Sequence, residues 1–408
     1  MTDTVETVVD PGTAARIRTA DEAITAATRL AGSFARGAAE RDRDRVLPYP
    51  ETDELAAGGL LAITVPVEFG GADLPPSVVA EVFRILATAD PNIAQIPHSH
   101  FVYVNLLRLA ADREQQQRFF TQVLSGGRIA NAQSERGGKT VADIATRITQ
   151  HSNGFHLDGE KFYCTGSLFA DTLAVLARLD EPAGDLDIGE YIAFIPADSA
   201  GVEIVDDWTG MGQRTTGSGT IRFDGVDVRH EDLVSRAPAV SAPAGYGAFA
   251  QLLHVAIDAG IARGALTAAV EFVRTRSRPW FEAEVDRAVD DPLLVQRFGE
   301  LAVSVGTAEA TLAAAGRAVD ATLEGTGSAA DASLAVAVAK VVADRSANEV
   351  SSALFEVSGT RSAGADLGLN HFWRNARTHT LHDPVRWKYQ HIGRSVLRDE
   401  DPPRHGVI

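Results

Sequence analysis

The apolar residues of this chain change period twice, and that double switch limits it to a three-part fold. From about 13 to 45 they recur every third and fourth position (Ile17, Ala20, Ile24, Ala27, Leu30, Phe34), as on a helix with one buried face. Pro48 and Pro50 close that helix. A short helix over 52–58 and helices over 77–89, 92–111 and 113–124 continue the pattern until Ser125-Gly126-Gly127 breaks it. Short β-rich segments follow at 128–134, 145–151, 155–165, 172–177, 191–196 and 219–223, bounded by turns such as Asn153-Gly154 and Asp158-Gly159. Long alanine-rich helices over 246–276, 292–323 and 329–357 then read as an up-and-down bundle. The expected fold class is α+β: an N-terminal helical domain (1–127, with 1–12 a loose tail), a central β domain (128–240) and a C-terminal helical bundle domain (241–408).

Composition matters mainly for what it excludes. A net charge of -17 argues against nucleic acid as a partner, since phosphate binding needs a basic face. No run approaches the roughly 18 apolar residues of a membrane span, and the acidic start MTDTVETVVDPGT lacks a signal pattern, so a cytoplasmic protein is expected. A single cysteine, Cys164, excludes an intrachain disulfide and a cysteine-rich metal site. No metal is expected, because HExxH and paired Cys/His zinc spacings are absent, as is GxSxG.

The run 373–393, WRNARTHTLHDPVRWKYQHIG, is basic against this acidic background. His379 and His382 are three apart, which on a helix puts both rings on one face. Asp383-Pro384 ends that helix, leaving His382 at its C-terminus, where the dipole favours an imidazolium. Two surface histidines on a terminal helix is the plain alternative. GEKFYCTGS places Tyr163 and Thr165 two apart on a strand, a ring and a hydroxyl on one face, suited to a flat heteroaromatic cofactor or simply to sheet packing. NAQSERGG ends a strand in a polar loop whose Asn131, Gln133 and Ser134 could read a ring edge. Trp208, in a glycine-rich stretch, is a cofactor wall or a structural corner. Arg274, Arg276 and Arg278 before a proline, and Arg361 beside a glycine turn, suit a phosphate or are solvated helix ends. His98, His100 and Tyr103 face a pocket or are satisfied core groups, the latter favoured for His98.

With these segments in view, the chain resembles the acyl-CoA dehydrogenase superfamily over nearly its full length. VPVEFGG is similar to the loop after that family's early helices, and GEKFYCTG to its flavin-facing strand. SERGGKTVAD, GQRTTGSGT, RSRPW and above all WRNARTHTLHDPVRWKY resemble its flavin-dependent monooxygenase branch, that of dibenzothiophene monooxygenase and the sulfur-acquisition oxidoreductases. The resemblance implies a C-terminal four-helix bundle and a homotetramer. It implies reduced FMN bound between the β domain and the bundle, supplied by a separate flavin reductase. Asn131, Ser134, Tyr163, Thr165 and Trp208 would line the flavin or substrate pocket. Arg276 or Arg278 from a neighbouring subunit and Arg361 would hold the phosphate. His379 and His382, with Thr165, would face the reactive edge, and His100 and Trp208 the substrate. The reaction implied is oxygenation of a small organosulfur compound or similar soft nucleophile by O2, through a flavin hydroperoxide. One departure separates this from the family's dehydrogenases, which remove a substrate α-proton with a glutamate, often in a Tyr-Glu-Gly step: His382-Asp383-Pro384 occupies that step here. The alternatives are an FAD-dependent acyl-CoA dehydrogenase with its base moved to Asp383 or Asp258, and a flavin-binding member without turnover.

Overall fold

The structure, a computed structural model, describes residues 14–140, 142–152 and 154–405. The expected tail over 1–12 and Asn153 of the expected Asn153-Gly154 turn lie outside the described residues. Helices come first: α1 (Ala20–Phe34), α2 (Ala38–Asp44), α3 (Tyr49–Ala57), α4 (Pro76–Ala89), α5 (Pro91–Gln95), α6 (His98–Ala110) and α7 (Arg113–Leu124). The one long helix expected over 13–45 is two. A 3-10 turn over Ala35–Gly37 separates them, with Arg36 at ψ 19°, outside helical geometry. The helix expected over 92–111 splits at Pro97, which has no N–H to continue a helical ladder. Pro50, expected to close a helix, instead stands in the first turn of α3, where its missing N–H costs nothing. α7 begins where its sequence says, because Asp112 accepts from the Gln115 N–H (2.8 Å) while the Gln115 side chain accepts from the Asp112 N–H (3.0 Å).

The central strands are β1 (Ile129–Ala132), β2 (Arg147–His151), β3 (Gly154–Cys164), β4 (Thr172–Leu179), β5 (Gly189–Pro196), β6 (Val202–Val205), β7 (Gly219–Val228) and β8 (Leu233–Ser235). They form one sheet in the order β6-β7-β3-β2-β4-β5-β8, with β1 also on β4. β4 is its axis: β5 runs antiparallel along one edge, and β1 and β2 share the other in parallel. Its alternate residues divide two cores. Leu173, Val175 and Ala177 pack with β-sheet partners such as Leu157 and Ile221. Ala174 and Leu176 pack with Leu107 of α6 and Phe120 of α7. The short β6 and β8 carry no alternation long enough to read from sequence.

The chain closes with α8 (Arg236–Ser241), α9 (Tyr246–Thr275), α10 (Pro292–Leu323), α11 (Ala329–Ser358), α12 (Asn370–His379) and α13 (Arg386–Arg398). α9 corrects one expectation. It is long and apolar enough to cross a membrane by length and composition alone, but 78% of that stretch is buried inside the fold, as in a core helix. It packs against α4, α6, α10 and α11, and Leu252, Ile257 and Phe83 share one core. α12 also ends sooner than expected. His379 is its last residue, and His382 follows in a turn, its N–H bonded to the His379 carbonyl at 3.0 Å.

Candidate active site

Where α6, the sheet, α9 and the end of α12 meet, they enclose a cavity of about 480 Å³, within the range of small-ligand sites. α5 and α6 contribute Gln95, His98 and Ser99. The ends of β1 and β3 contribute Asn131, Ser134, Tyr163 and Thr165. The loop before β7 adds Trp208, Gln213 and Ser218, α9 adds His254, and the end of α12 adds Thr378, His379, Leu381 and His382. Among the described residues, no carboxylate and no lysine or arginine lines it.

The sheet wall is set by a local break. β3 loses register with β7 between Lys161 and Cys164, and Tyr163 takes φ 58°. Tyr163 and Thr165 therefore do not alternate on one regular strand face as expected, yet both still line the cavity. Tyr163 stands edge-on to Trp208, ring centres 6.2 Å apart, and the Trp208 indole N–H donates to the Gln213 carbonyl at 2.7 Å. The loop carrying Gln213 lies directly on α12: a Cβ on Gly212 would sit 2.0 Å from the Arg374 carbonyl, and the Gln213 N–H donates to Asn375 Oδ1 at 2.7 Å. Three hydroxyls run from this loop into the cavity. Thr216 donates to the Gln213 carbonyl (2.9 Å), so Ser218 must donate to Thr216 (2.6 Å) and Thr165 to Ser218 (2.8 Å). Thr165 is thereby left with only lone pairs to offer the cavity.

The opposite wall is histidine. His98 stacks on His254 with ring centres 3.9 Å apart, and His382 also lies against His254, at 3.9 Å. The Ala250 carbonyl fixes the His98 proton on Nε2 (2.9 Å), and burial pushes the His98 pKa down to about 3. His254 Nδ1 meets His379 Nε2 at 3.0 Å, and His379 Nδ1 meets Asp258 Oδ1 at 2.6 Å. The other Asp258 oxygen holds Lys340 Nζ (2.8 Å), which also holds Asp344 (2.5 Å). Burial drives the His254 pKa far below the usual imidazole range, and the neighbouring rings add to it. Burial raises the Asp258 pKa, but His379 and Lys340 more than offset that and keep it ionised. Asp344, raised first by burial and then by Asp258, is pushed up to about 8. Among the described residues, no group of His, Cys, Asp or Glu is arranged to hold a metal ion.

Several expected site residues are elsewhere. His100 lies outside this cavity, with both ring nitrogens engaged: Nε2 donates to the Leu61 carbonyl (2.8 Å) and Nδ1 accepts from the Ile129 N–H (3.1 Å). It pins α6 to β1, while His98, read as core, lines the cavity. Arg276, Arg278 and Arg361 are exposed and do not line it; Arg361 donates to the Arg276 carbonyl at 2.7 Å. Asp258 is fully buried behind His379, and Asp383 is turned to Lys388 at 3.1 Å, so neither alternative base reaches the cavity. Sequence reasoning missed His254, Gln95 and Gln213. His254 had a signal: it and Asp258 are one turn apart in an otherwise apolar helix.

A flavin ring fits this lining. Gln95 Oε1, Asn131 Oδ1, both Gln213 amide atoms and Thr378 Oγ1 are buried without a hydrogen-bond partner, and all belong to cavity residues. Each such atom costs about 1–3 kcal/mol unless something polar meets it. An isoalloxazine edge presents alternating donors and acceptors at that scale.

Comparison with known proteins identifies the family. The acyl-CoA dehydrogenase N-terminal, middle and C-terminal domain models match residues 22–127, 131–226 and 252–387. A dibenzothiophene monooxygenase of Rhodococcus erythropolis is 32% identical, covering 94% of both chains. A probable FMNH2-dependent monooxygenase, SfnC, of Pseudomonas putida is also 32% identical, over 93% of this chain and 96% of that one. The FMN-bound structure of TdsC from Paenibacillus sp. A11-2 superimposes with TM-score 0.89 at 33% identity, over 95% of this chain and all of that one. Full-length similarity to oxygenases, across all three domain models, places this chain in the flavin-dependent monooxygenase branch of the acyl-CoA dehydrogenase family.

Proposed function

We propose that the chain is a monooxygenase that uses reduced FMN from a separate flavin reductase to oxygenate a small organosulfur compound or similar soft nucleophile in the cytoplasm. The observation that carries this is a cavity with four histidines and, among the described residues, no carboxylate. Abstraction of a carbon-bound proton needs a base aimed at the substrate. Here the candidate carboxylates are engaged outside the cavity. When bound, reduced flavin supplies the electrons that activate dioxygen. Asn131, Ser134, Gln213 and the Thr165 lone pairs would hold and orient the ring, and Tyr163 and Trp208 would close one side and border the substrate. His382, with a side chain 41% exposed, would give or take the proton at the reacting oxygen, with His379 behind it. The walls of α6 and α9 would keep water out. Among the described residues no lysine or arginine lines the cavity, and Arg276, Arg278 and Arg361 are exposed, which supports a homotetramer in which Arg276 or Arg278 of a second subunit would meet the phosphate with Arg361. Trp280 and Phe281, 63% and 76% exposed beside those arginines, support the same reading.

The test is anaerobic titration with reduced FMN, followed by mixing with oxygenated buffer and dibenzothiophene as probe. Oxygenated product should form with little free hydrogen peroxide. Purification with tight FMN-independent FAD that acyl-CoA bleaches would replace this reading with a dehydrogenase.

A further inference from the structure

We propose that His254, His379 and Asp258 form a buried proton relay that holds one proton beside the cavity and away from bulk water, with Asp258 as its positioning residue. The proposal rests on the monooxygenase reading only for the use to which the proton is put. A carboxylate oxygen can only accept, so the 2.6 Å contact fixes a hydrogen on His379 Nδ1. What remains open is the 3.0 Å contact between His379 Nε2 and His254 Nδ1. If His379 is neutral, its Nε2 accepts from His254 Nδ1–H, and His254 Nε2 is bare. If His379 is an imidazolium, its Nε2–H donates to His254 Nδ1, and the His254 hydrogen sits on Nε2. The two states are joined by one transfer. A proton arriving from the cavity bonds to His254 Nε2, the His254 Nδ1–H bond breaks, and that proton bonds to His379 Nε2. The reverse sequence returns it. No electrons move, and the positive charge travels one ring inward.

Burial holds the pKa of both rings below the usual imidazole range, but Asp258 pulls against it at His379, so of the two His379 is the favoured seat of that charge. His254 lies between the rings of His98 and His382, at 3.9 Å from each, and its hydrogen bond is to the His379 ring rather than to a carboxylate. His379 faces Asp258 directly. Asp258, His379 and Lys340 have fully buried side chains, so their mutual attraction is little screened. Lys340 clamps the second Asp258 oxygen, which stops the carboxylate from turning away and keeps it ionised. Asp344 on α11 completes the Lys340 site, and the Asp383–Lys388 pair lies on its other flank. A cluster built only for stability would not need two imidazoles in series on the wall of a ligand cavity.

The experiment begins with the full-length protein without flavin. Proton NMR should show a far-downfield imidazole N–H from His379, retained in His382→Ala and lost in Asp258→Asn. Its position should shift in His254→Gln, which removes neither partner of the Asp258–Lys340 pair and should fold as the wild type. With reduced FMN and dibenzothiophene, Asp258→Asn and His254→Gln should each lower kcat about 10- to 100-fold, leaving KM and FMN affinity within about twofold. Imidazole added to His254→Ala should restore turnover. Absence of the downfield line in the folded protein, or wild-type kcat in His254→Gln, would overturn the relay. A normal set of lines in a protein that oxygenates nothing would overturn the proposed function instead.

Discussion

Of the charge clusters buried among the described residues, the one at Lys161 and the one at Lys340 differ in one respect: only the second is unfinished. Under the sheet, Lys161 has a fully buried side chain and donates to the Gln133 carbonyl (3.1 Å) and Glu135 (2.6 Å). Glu135 in turn accepts from the Ala145 N–H (2.6 Å), the Thr146 N–H (3.0 Å) and the Thr146 hydroxyl (2.7 Å). Every lone pair that matters is taken. Behind the cavity, Asp258, Lys340 and Asp344 are as deeply buried, but they end in imidazoles whose protons can sit in two places. Burial of charge is therefore no sign of function by itself; unspent protonation capacity at a cavity wall is.

The comparison breaks most visibly if Glu135 is removed. Glu135→Gln leaves Lys161 charged and buried without a counter-ion, which should cost about 3–5 kcal/mol of stability, read as a fall in the urea midpoint. The pH dependence sharpens this. Burial raises the Glu135 pKa, but Lys161 and the three N–H and O–H donors outweigh it and bring it down to about 2. A depressed carboxyl pKa stabilises the fold above the unfolded value of 4.5, and that contribution is lost as pH falls through about 2. The wild type should lose up to about 1.4 kcal/mol per pH unit from this group across that window, and Glu135→Gln should lack that slope. An unchanged slope would mean that the pair is not the acid-sensitive element of the β domain.

On the other side of the comparison, His382→Ala should lower product formation per reduced FMN by about 100-fold or more with the urea midpoint unmoved, because His382 sits in an open turn. A large stability loss with modest kinetic change would put His382 in the structural class with Lys161.

How much of this was legible depended on whether the deciding interaction was local. α10 begins at Pro292 because the adjacent Asp291 caps it, and that was readable. The end of α12 was not. Asp383-Pro384 is a sound stop signal, but the helix stops at His379, where the chain turns and the ring is tied to Asp258 across 121 positions of sequence. The family and the cavity residues on β1, β3 and α12 came from motifs, and the three-part order from the two changes of apolar period. His98 and His100, two apart on α6, could not be told apart by pattern, because one meets Ala250 and the other Leu61 and Ile129. His254 went unread because its helix looks like plain core, although its Asp258 partner one turn on marked it.

The smallest effect expected tests the hydroxyl row, which is satisfied like the Glu135 site at one end and open like the histidines at the other. Its first hydrogen goes to the Gln213 carbonyl, so each hydroxyl donates down the row and Thr165 keeps only acceptor capacity. Thr165→Val keeps the shape and removes that acceptor, along with the donor to Ser218. Thr165→Ser keeps both. If the cavity ligand presents an N–H to Thr165, the valine variant should bind FMN about fivefold more weakly, one hydrogen bond of about 1 kcal/mol, while the serine variant binds as the wild type. Fluorescence titration with FMN measures both. Equal affinities for valine and serine would show that the row ends in packing, and that the openness of this cavity is confined to its histidine wall.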